Sequence, residues 1–269
     1  MAGTYRAFFG FAKEPFPVDV DLRDMYETRD LAGVADRFLY AVGLGAMALI
    51  TGEVGSGKST ALRFAAAKLH PSEYRVFHLT ASSGSILEFY RLFLAQLGIE
   101  AASSSRAFMT RIIKREILDL NLAKKIKPLL VIDEASLIRL DVFAELHTIV
   151  EFERETKASL PIILAGQGQL IDKLTYRASM PIASRIVART HLEGVDRQEM
   201  EQYLKHHLGI AGVKQNLFDD TALTAIHQGS GGILRKANHL ARGSLIAAAA
   251  QNQMIVAAEH VRLAATEIF

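Results

Sequence analysis

The chain contains no cysteine among its 269 residues, so no disulfide staples it, which fits a reducing compartment. No apolar run approaches the ~20 residues of a membrane span. The opening MAGTYRAFFGFAKEPF has no uninterrupted apolar core of the kind a secretory signal needs. A cytoplasmic protein without a membrane span is the expectation. Internal repeats and low-complexity linkers are absent too. His78, His147, His191, His206, His207 and His239 show no metal-ligand spacing with acidic neighbours, so no metal beyond Mg²⁺ is expected. Net charge is only +2.

Half of the residues are hydrophobic, enough for a substantial core in one or two domains. After an opening of aromatics and prolines, an amphipathic stretch runs from Asp30 to Val42. AMALI, YRVFHLT, KPLLVIDEA and LPIILAGQ then read as strands. STALRFAAAKLH, GSILEFYRLFLAQLG, SSSRAFMTRIIKREILDL and FAELHTIVEFERE read as the helices between them. Such alternation implies an α/β fold, a parallel sheet covered by helices on both faces. From about Arg197 onward strand signals vanish and helical patterns remain. The expected organisation is an N-terminal aromatic segment near the nucleotide (1–29), a P-loop domain (30–195) and a small helical lid (196–269).

The stretch LITGEVGSGKSTALRF fits G-x-x-x-x-G-K-[ST] with Gly52, Gly57, Lys58 and Ser59, and Gly55 adds a further glycine to the turn. Glycines let the loop bend tightly and turn its N–H groups onto phosphate oxygens. Lys58 would reach the β- and γ-phosphates and the Ser59 hydroxyl would hold Mg²⁺. Glu53, Val54, Ser56 and Thr60 complete the stretch that wraps the nucleotide. A strand before and a helix after it supply the required context, with the helix N-terminus facing the anion.

LLVIDEA supplies the second element: four apolar residues, then Asp133 and Glu134. An acid leaving a buried strand can hold Mg²⁺ directly or through water, which is the role for Asp133. Glu134 is then placed to polarise the attacking water. Adjacent acids argue for hydrolysis, and no Asn-Lys-x-Asp guanine motif occurs anywhere. An ATPase using ATP and Mg²⁺ is the expectation.

Charge is unevenly distributed. Between Ser103 and Lys127, Arg106, Arg111, Lys114, Arg115, Lys124, Lys125 and Lys127 face only Glu116 and Asp119. On a helix, Met109, Ile113, Ile117 and Leu120 share one face while Arg111, Lys114 and Arg115 gather opposite. With Lys124 and Lys125 these side chains could neutralise phosphates of double-stranded DNA without reading sequence. The plainer alternative is an ordinary solvated helix face.

The opening YRAFFGFAKEPFPVDVDLRDMYET, the two nucleotide motifs, LPIILAGQGQL, SRIVARTHLEGVDRQEMEQYLKHHLGIAG and FDDTALTAIHQGSGGILRKANHLA together resemble an AAA+ ATPase of the ExeA/GspA-like branch. That branch is itself similar to the transposition regulators TnsC, MuB, TniB and IstB. The resemblance spans nearly the whole chain and implies further roles. Gln167 would be the sensor-1 residue, Arg185 the arginine finger reaching a neighbour's nucleotide with Arg189 as fallback, and Arg235 the sensor-2 arginine opening a lid helix. The family often has a proline before that last arginine, whereas this chain reads GGILR. Tyr26, with Phe16, would flank the adenine unless both are core aromatics holding the N-terminal segment to the sheet.

Two function classes follow from the resemblance. One is a DNA-binding ATPase that forms ATP-dependent homo-oligomers, ring or helical filament, on double-stranded DNA and regulates transposition by recruiting a transposase or other transposition proteins. The other is a general-secretion-pathway-A-type accessory ATPase acting with a secretion complex. Secretion members of the branch continue into a membrane span and a peptidoglycan-binding part, whereas this sequence ends at Phe269 after lid-like helices, which directs the expectation to the first class.

Overall fold

The computed structural model describes residues 2–100, 104–152 and 158–268. It divides into two units, Gly33–Val54 with Lys58–Leu192, and Met1–Ala32 with Gly55–Gly57 and Glu193–Phe269.

The first unit holds β1 (Met47–Gly52), β2 (Tyr74–Thr80), β3 (Lys127–Asp133), β4 (Ile162–Gly166) and β5 (Ile186–Leu192) in one parallel sheet ordered β2-β3-β4-β1-β5. Its central strands are apolar without alternation because both faces are covered: all of β1 and β4 and most of β3 are buried. Between strands run α3 (Lys58–Ala67), α4 (Ile86–Leu97), α5 (Arg106–Leu118), α6 (Leu140–Val150) and α7 (Gln169–Thr175). Ser85 and Glu88 close a capping box that starts α4, and Gly98 in the left-handed region ends it. Leu130, Ile132, Leu164, Phe77, Phe93, Ile113, Ile117 and Phe143 pack into one core. The parallel α/β P-loop architecture is as the sequence implies.

One local expectation is corrected, and two elements appear that no local pattern marks. The stretch FAELHTIVEFERE does not stay helical throughout: α6 stops at Val150, and Glu151 is extended. Its carbonyl accepts from the Lys114 ammonium at 2.8 Å, a tertiary bond no local pattern announces. Residues 153–157, and Ser103 at the start of the basic stretch, lie outside the described residues. β5 carries no apolar run, because only Ala188 and Leu192 of IVARTHL are buried. It forms the sheet's edge beside β1 and exposes Arg189. The opening also begins with a helix, α1 (Ala2–Phe9), with Tyr5 and Phe9 buried.

The second unit gathers α9 (Arg197–Ile210), α10 (Asp220–Ser230), α11 (Leu234–Ala250) and α12 (Ala258–Ile268) with α1 and the aromatic segment; the remaining short helix α8 (Met180–Ala183) and most of α2 (Arg29–Gly43) belong to the sheet unit. Asp196 caps α9 by accepting from Glu199 N at 2.8 Å, and Asp219 caps α10 by accepting from Ala222 N at 2.7 Å. Phe16 is fully buried, with its ring 6.4 Å from Phe218 and 5.7 Å from the His207 imidazole. It is a core aromatic, and the core it belongs to is that of the helices, with Met200, Leu204 and Leu240. The segment is clamped by polar bonds as well. Arg242 donates to Phe16 O and reaches Glu14 Oε1 at 3.2 Å, while His207 Nδ1 lies 3.0 Å from Pro15 O.

Candidate nucleotide site

In a parallel sheet all strands finish at one edge, and register decides what meets there. Thr51 of β1 lies beside Gly166 of β4, Ile132 of β3 beside Leu164, and Thr80 of β2 beside Asp133. The residues leaving β1, β3 and β4 are therefore Glu53, Glu134 and Gln167, at a common edge.

Lys58 opens α3, and its side chain turns back so that Nζ donates to Gly52 O at 2.9 Å and Glu53 O at 2.8 Å. Only 6% of the residue is exposed, so this ammonium is held in place by the backbone of its own loop. Next to it, Ser59 Oγ donates to Asp133 Oδ2 at 2.5 Å. The other carboxylate oxygen, Oδ1, accepts from Glu134 N at 2.8 Å. A hydroxyl and a carboxylate brought this close offer two hard oxygens to a small cation. Mg²⁺ is commonly bound by one or two such protein oxygens plus phosphate and water, not by a protein cage. No group of three or more His, Cys, Asp or Glu side chains is placed to hold a metal among the described residues. The donor set present fits that sparse mode.

Glu134 has φ 52° and ψ 33°, a left-handed conformation uncommon for a side chain of this kind. No hydrogen bond or ion pair engages its carboxylate among the described residues. A carboxylate held by a strained backbone and left without a protein partner is available to water. Behind it, Ala135–Leu137 make a single 3₁₀ turn. Gln167 directly follows β4, and its N–H donates to Ser136 Oγ at 3.4 Å.

Arg185 lies elsewhere. Its carbonyl accepts from Met47 N, the first residue of β1, at 3.1 Å, so it sits at the sheet edge opposite to the loop. Five strand steps at about 3.3 Å put roughly 17 Å between these edges. Its side chain is exposed, with a guanidinium nitrogen 3.3 Å from His147 Nε2. Arg189 pairs in register with Leu49, half-way along the strand, and is exposed too.

In the helical unit, Arg235 is exposed at the second position of α11, and its N–H donates to Gly55 O at 3.3 Å. Gly55 has φ +84°, and a Cβ there would come within 2.8 Å of Arg235 Cβ, so both conformation and space call for glycine. Gly57 has φ +99°. The Tyr26 hydroxyl donates to Gln202 Oε1 at 2.8 Å, and its ring stands 6.1 Å from Tyr203 and 5.4 Å from His206.

The basic stretch behaves as its periodicity implies: Met109, Ile113, Ile117 and Leu120 are buried and Arg111 and Arg115 exposed. Several of its charges already have partners. Lys114 holds Glu151 O, Arg115 lies 3.2 Å from Glu116, and Lys124 lies 2.6 Å from Asp119. Arg111 stacks over Phe108 at 5.4 Å, and Lys125 is exposed with φ 58°.

Residues 44–174 match the family model of the AAA domain. The fold is that of an AAA+ P-loop ATPase. The chain is 28% identical to general secretion pathway protein A of Aeromonas hydrophila over 265 residues, covering 98% of this chain and 48% of that protein, so it spans about half that relative's length. Among solved structures, Cdc6p of Pyrobaculum aerophilum superposes with a TM-score of 0.70 at 14% identity, over 98% of this chain and 71% of that one. The ORC2 protein of Aeropyrum pernix, in ADPNP–ADP complexes, gives 0.69 at 17%, over 96% and 72%. The ORC1 protein of the same organism, in complex with DNA, gives 0.68 at 16%, over 96% and 70%. Among the described residues no helix is long and apolar enough to cross a membrane.

Sequence patterns did not single out Ser136, Gly166 or Lys173 around the turn behind Glu134. None belongs to a spaced motif, and their roles depend on which loops the sheet brings together.

Proposed function

We propose that this AAA+ chain is an ATP-driven assembly switch whose nucleotide site is completed by a second copy of itself. Lys58 holds the phosphates, Ser59 and Asp133 hold Mg²⁺, Glu134 activates the attacking water, and Gln167 senses the γ-phosphate. When bound, Mg²⁺ neutralises charge on the phosphate oxygens. The observation that carries the reading is the position of Arg185: exposed, at the sheet edge opposite to Lys58, it is too far to serve its own subunit's phosphates. A permanently charged guanidinium there suits a neighbour's nucleotide. Such a head-to-tail interface gives a ring where rotation closes and a helical filament where it does not. ATP then joins neighbours and hydrolysis loosens them, a two-state element biased by the γ-phosphate. The resemblance adds Arg235 as sensor 2 and Tyr26 as the residue beside the adenine.

The finer reading is a DNA-bound regulator of transposition, with a transposase or related protein as partner. Exposed Arg111, Arg115 and Lys125 support DNA contact, since exposed ion pairs such as Arg115–Glu116 are weak enough to be exchanged for phosphates. The fold shared with an ORC1 protein solved in complex with DNA supports it further. A second reading, an accessory ATPase of a secretion complex, is favoured by the relative matched along nearly the whole chain.

One binding experiment separates them: labelled random-sequence duplex with ATP and Mg²⁺, a slowly hydrolysed analogue, ADP or no nucleotide, at two salt concentrations. Salt-sensitive binding that requires triphosphate is the expected result. Absence of binding in every state removes DNA and leaves the secretion reading, while failure to assemble with triphosphate overturns the switch itself.

A further inference from the structure

The turn that carries Glu134 is fastened by a lysine from a different element. Lys173, on α7, sends its Nζ to Ser136 O at 2.6 Å and Ile138 O at 2.8 Å. These are the carbonyls at the exit of the 3₁₀ turn, where a helical end leaves acceptors without internal donors. A cation is favoured at such an end. No carboxylate pairs with this half-buried ammonium among the described residues, so backbone carbonyls are what satisfy it. A lysine so placed is committed to holding backbone.

What it holds is connected to both sides of the proposed chemistry. Leu137 N donates to Glu134 O at 2.8 Å, so the turn begins on the strained glutamate. Buried Ser136 accepts from Gln167 N through Oγ, tying the same turn to the residue after β4. Gly166 allows this approach: a Cβ there would lie 2.8 Å from Ser136 N and 3.2 Å from its Oγ. Gly166 and Gln167 lead directly into α7, which begins at Gln169 and carries Lys173. The loop after β3 and the loop after β4 are thereby closed into one ring of contacts, Gln167–Ser136–Lys173, with Glu134 at its open end.

We infer that Lys173 is a positioning residue that holds the Ser136–Ile138 turn and so keeps Glu134 in the conformation that presents its carboxylate to water. The inference rests on the proposed hydrolytic role of Glu134. A left-handed glutamate persists only where its surroundings over-determine it: the Asp133 carboxylate holds its N–H, and the two Lys173 bonds hold the turn that follows.

The test compares wild type with Lys173→Met and Lys173→Arg in ATP turnover, in affinity for a fluorescent ATP analogue, and in amide hydrogen exchange over residues 134–138. Lys173→Met is expected to lower kcat about ten-fold or more with nucleotide affinity within about two-fold of wild type. Exchange at the turn accelerates, and Lys173→Arg recovers part of the turnover. A purely structural role would lower affinity and turnover together or leave both unchanged, and either result overturns the inference, as does unchanged exchange in Lys173→Met. Should wild type itself not hydrolyse ATP, the hydrolytic reading of Glu134 fails and with it any effect on kcat, a result distinct from an active wild type with an equally active Lys173→Met.

Discussion

Ser59 Oγ and Asp133 Oδ2 are 2.5 Å apart although 74 positions separate them in the chain. One residue belongs to the first turn of α3 and the other ends β3, so this contact exists only because β4 lies between β3 and β1 and all three strands end together. It joins two sequence motifs into one oxygen pair.

Replacing Lys58 by Ala removes the ammonium that Gly52 O and Glu53 O hold in place. A charge-assisted bond to phosphate contributes about 1.5–3 kcal/mol, so nucleotide affinity is expected to fall by at least about ten-fold. Titration with a fluorescent ATP analogue measures this, and unchanged affinity refutes the phosphate role.

Glu134→Gln keeps the shape and deletes the proposed base. Binding should persist while turnover falls by about 10²–10⁴-fold, the usual range for a positioned general base. Single-turnover hydrolysis is the readout. An undiminished rate removes Glu134 from the mechanism.

Arg185→Ala should bind nucleotide normally yet lose about 10³-fold or more in turnover, as loss of an arginine finger does. Because Arg185 sits at the far edge of the sheet, the defect is expected to be complemented in trans. Mixing Arg185→Ala with Lys58→Ala subunits should restore activity, since some interfaces then pair an intact loop with an intact arginine. If Arg189→Ala alone abolishes turnover, the finger is the mid-strand residue.

His207 sets a pH dependence in the helical unit. Burial, with His206 nearby, depresses its imidazole pKa to about 4, against smaller opposing effects of the Pro15 carbonyl and Asp24. The folded state therefore binds fewer protons than the unfolded chain, whose histidine titrates near 6.5. Stability from this group is fully present above pH 6.5 and is lost as pH falls toward 4, about 3 kcal/mol over that window. Thermal unfolding across the range should show the slope, and His207→Gln should flatten it.

Gly166→Ala drives a methyl against Ser136 N and Oγ at 2.8 and 3.2 Å. A cost of about 1–3 kcal/mol is expected from such overpacking. Denaturant unfolding checks this, and a neutral result means the Ser136 turn moves freely.

Sequence legibility followed burial and locality. β1, β3 and β4 announced themselves because strands covered on both faces are continuous apolar runs. β5 did not, since an edge strand with Arg189, Thr190 and His191 has no such run. Phe16 was legible as an aromatic, but not which core would take it: it packs with Phe218 and His207, about 200 residues further on. The basic face of α5 was legible from period 3.6, whereas the capture of Lys114 by Glu151 O was not.

By itself the sequence determined the glycine-rich loop, the acid pair and the α/β class, because each is written in contiguous residues. The tertiary structure decided the rest. It placed Arg185 a strand's length from Lys58, joined Ser59 to Asp133, and set Lys173 beneath the turn of Glu134. Those relations arise from strand order and loop closure, which depend on how distant segments pack and not on any local run of residues.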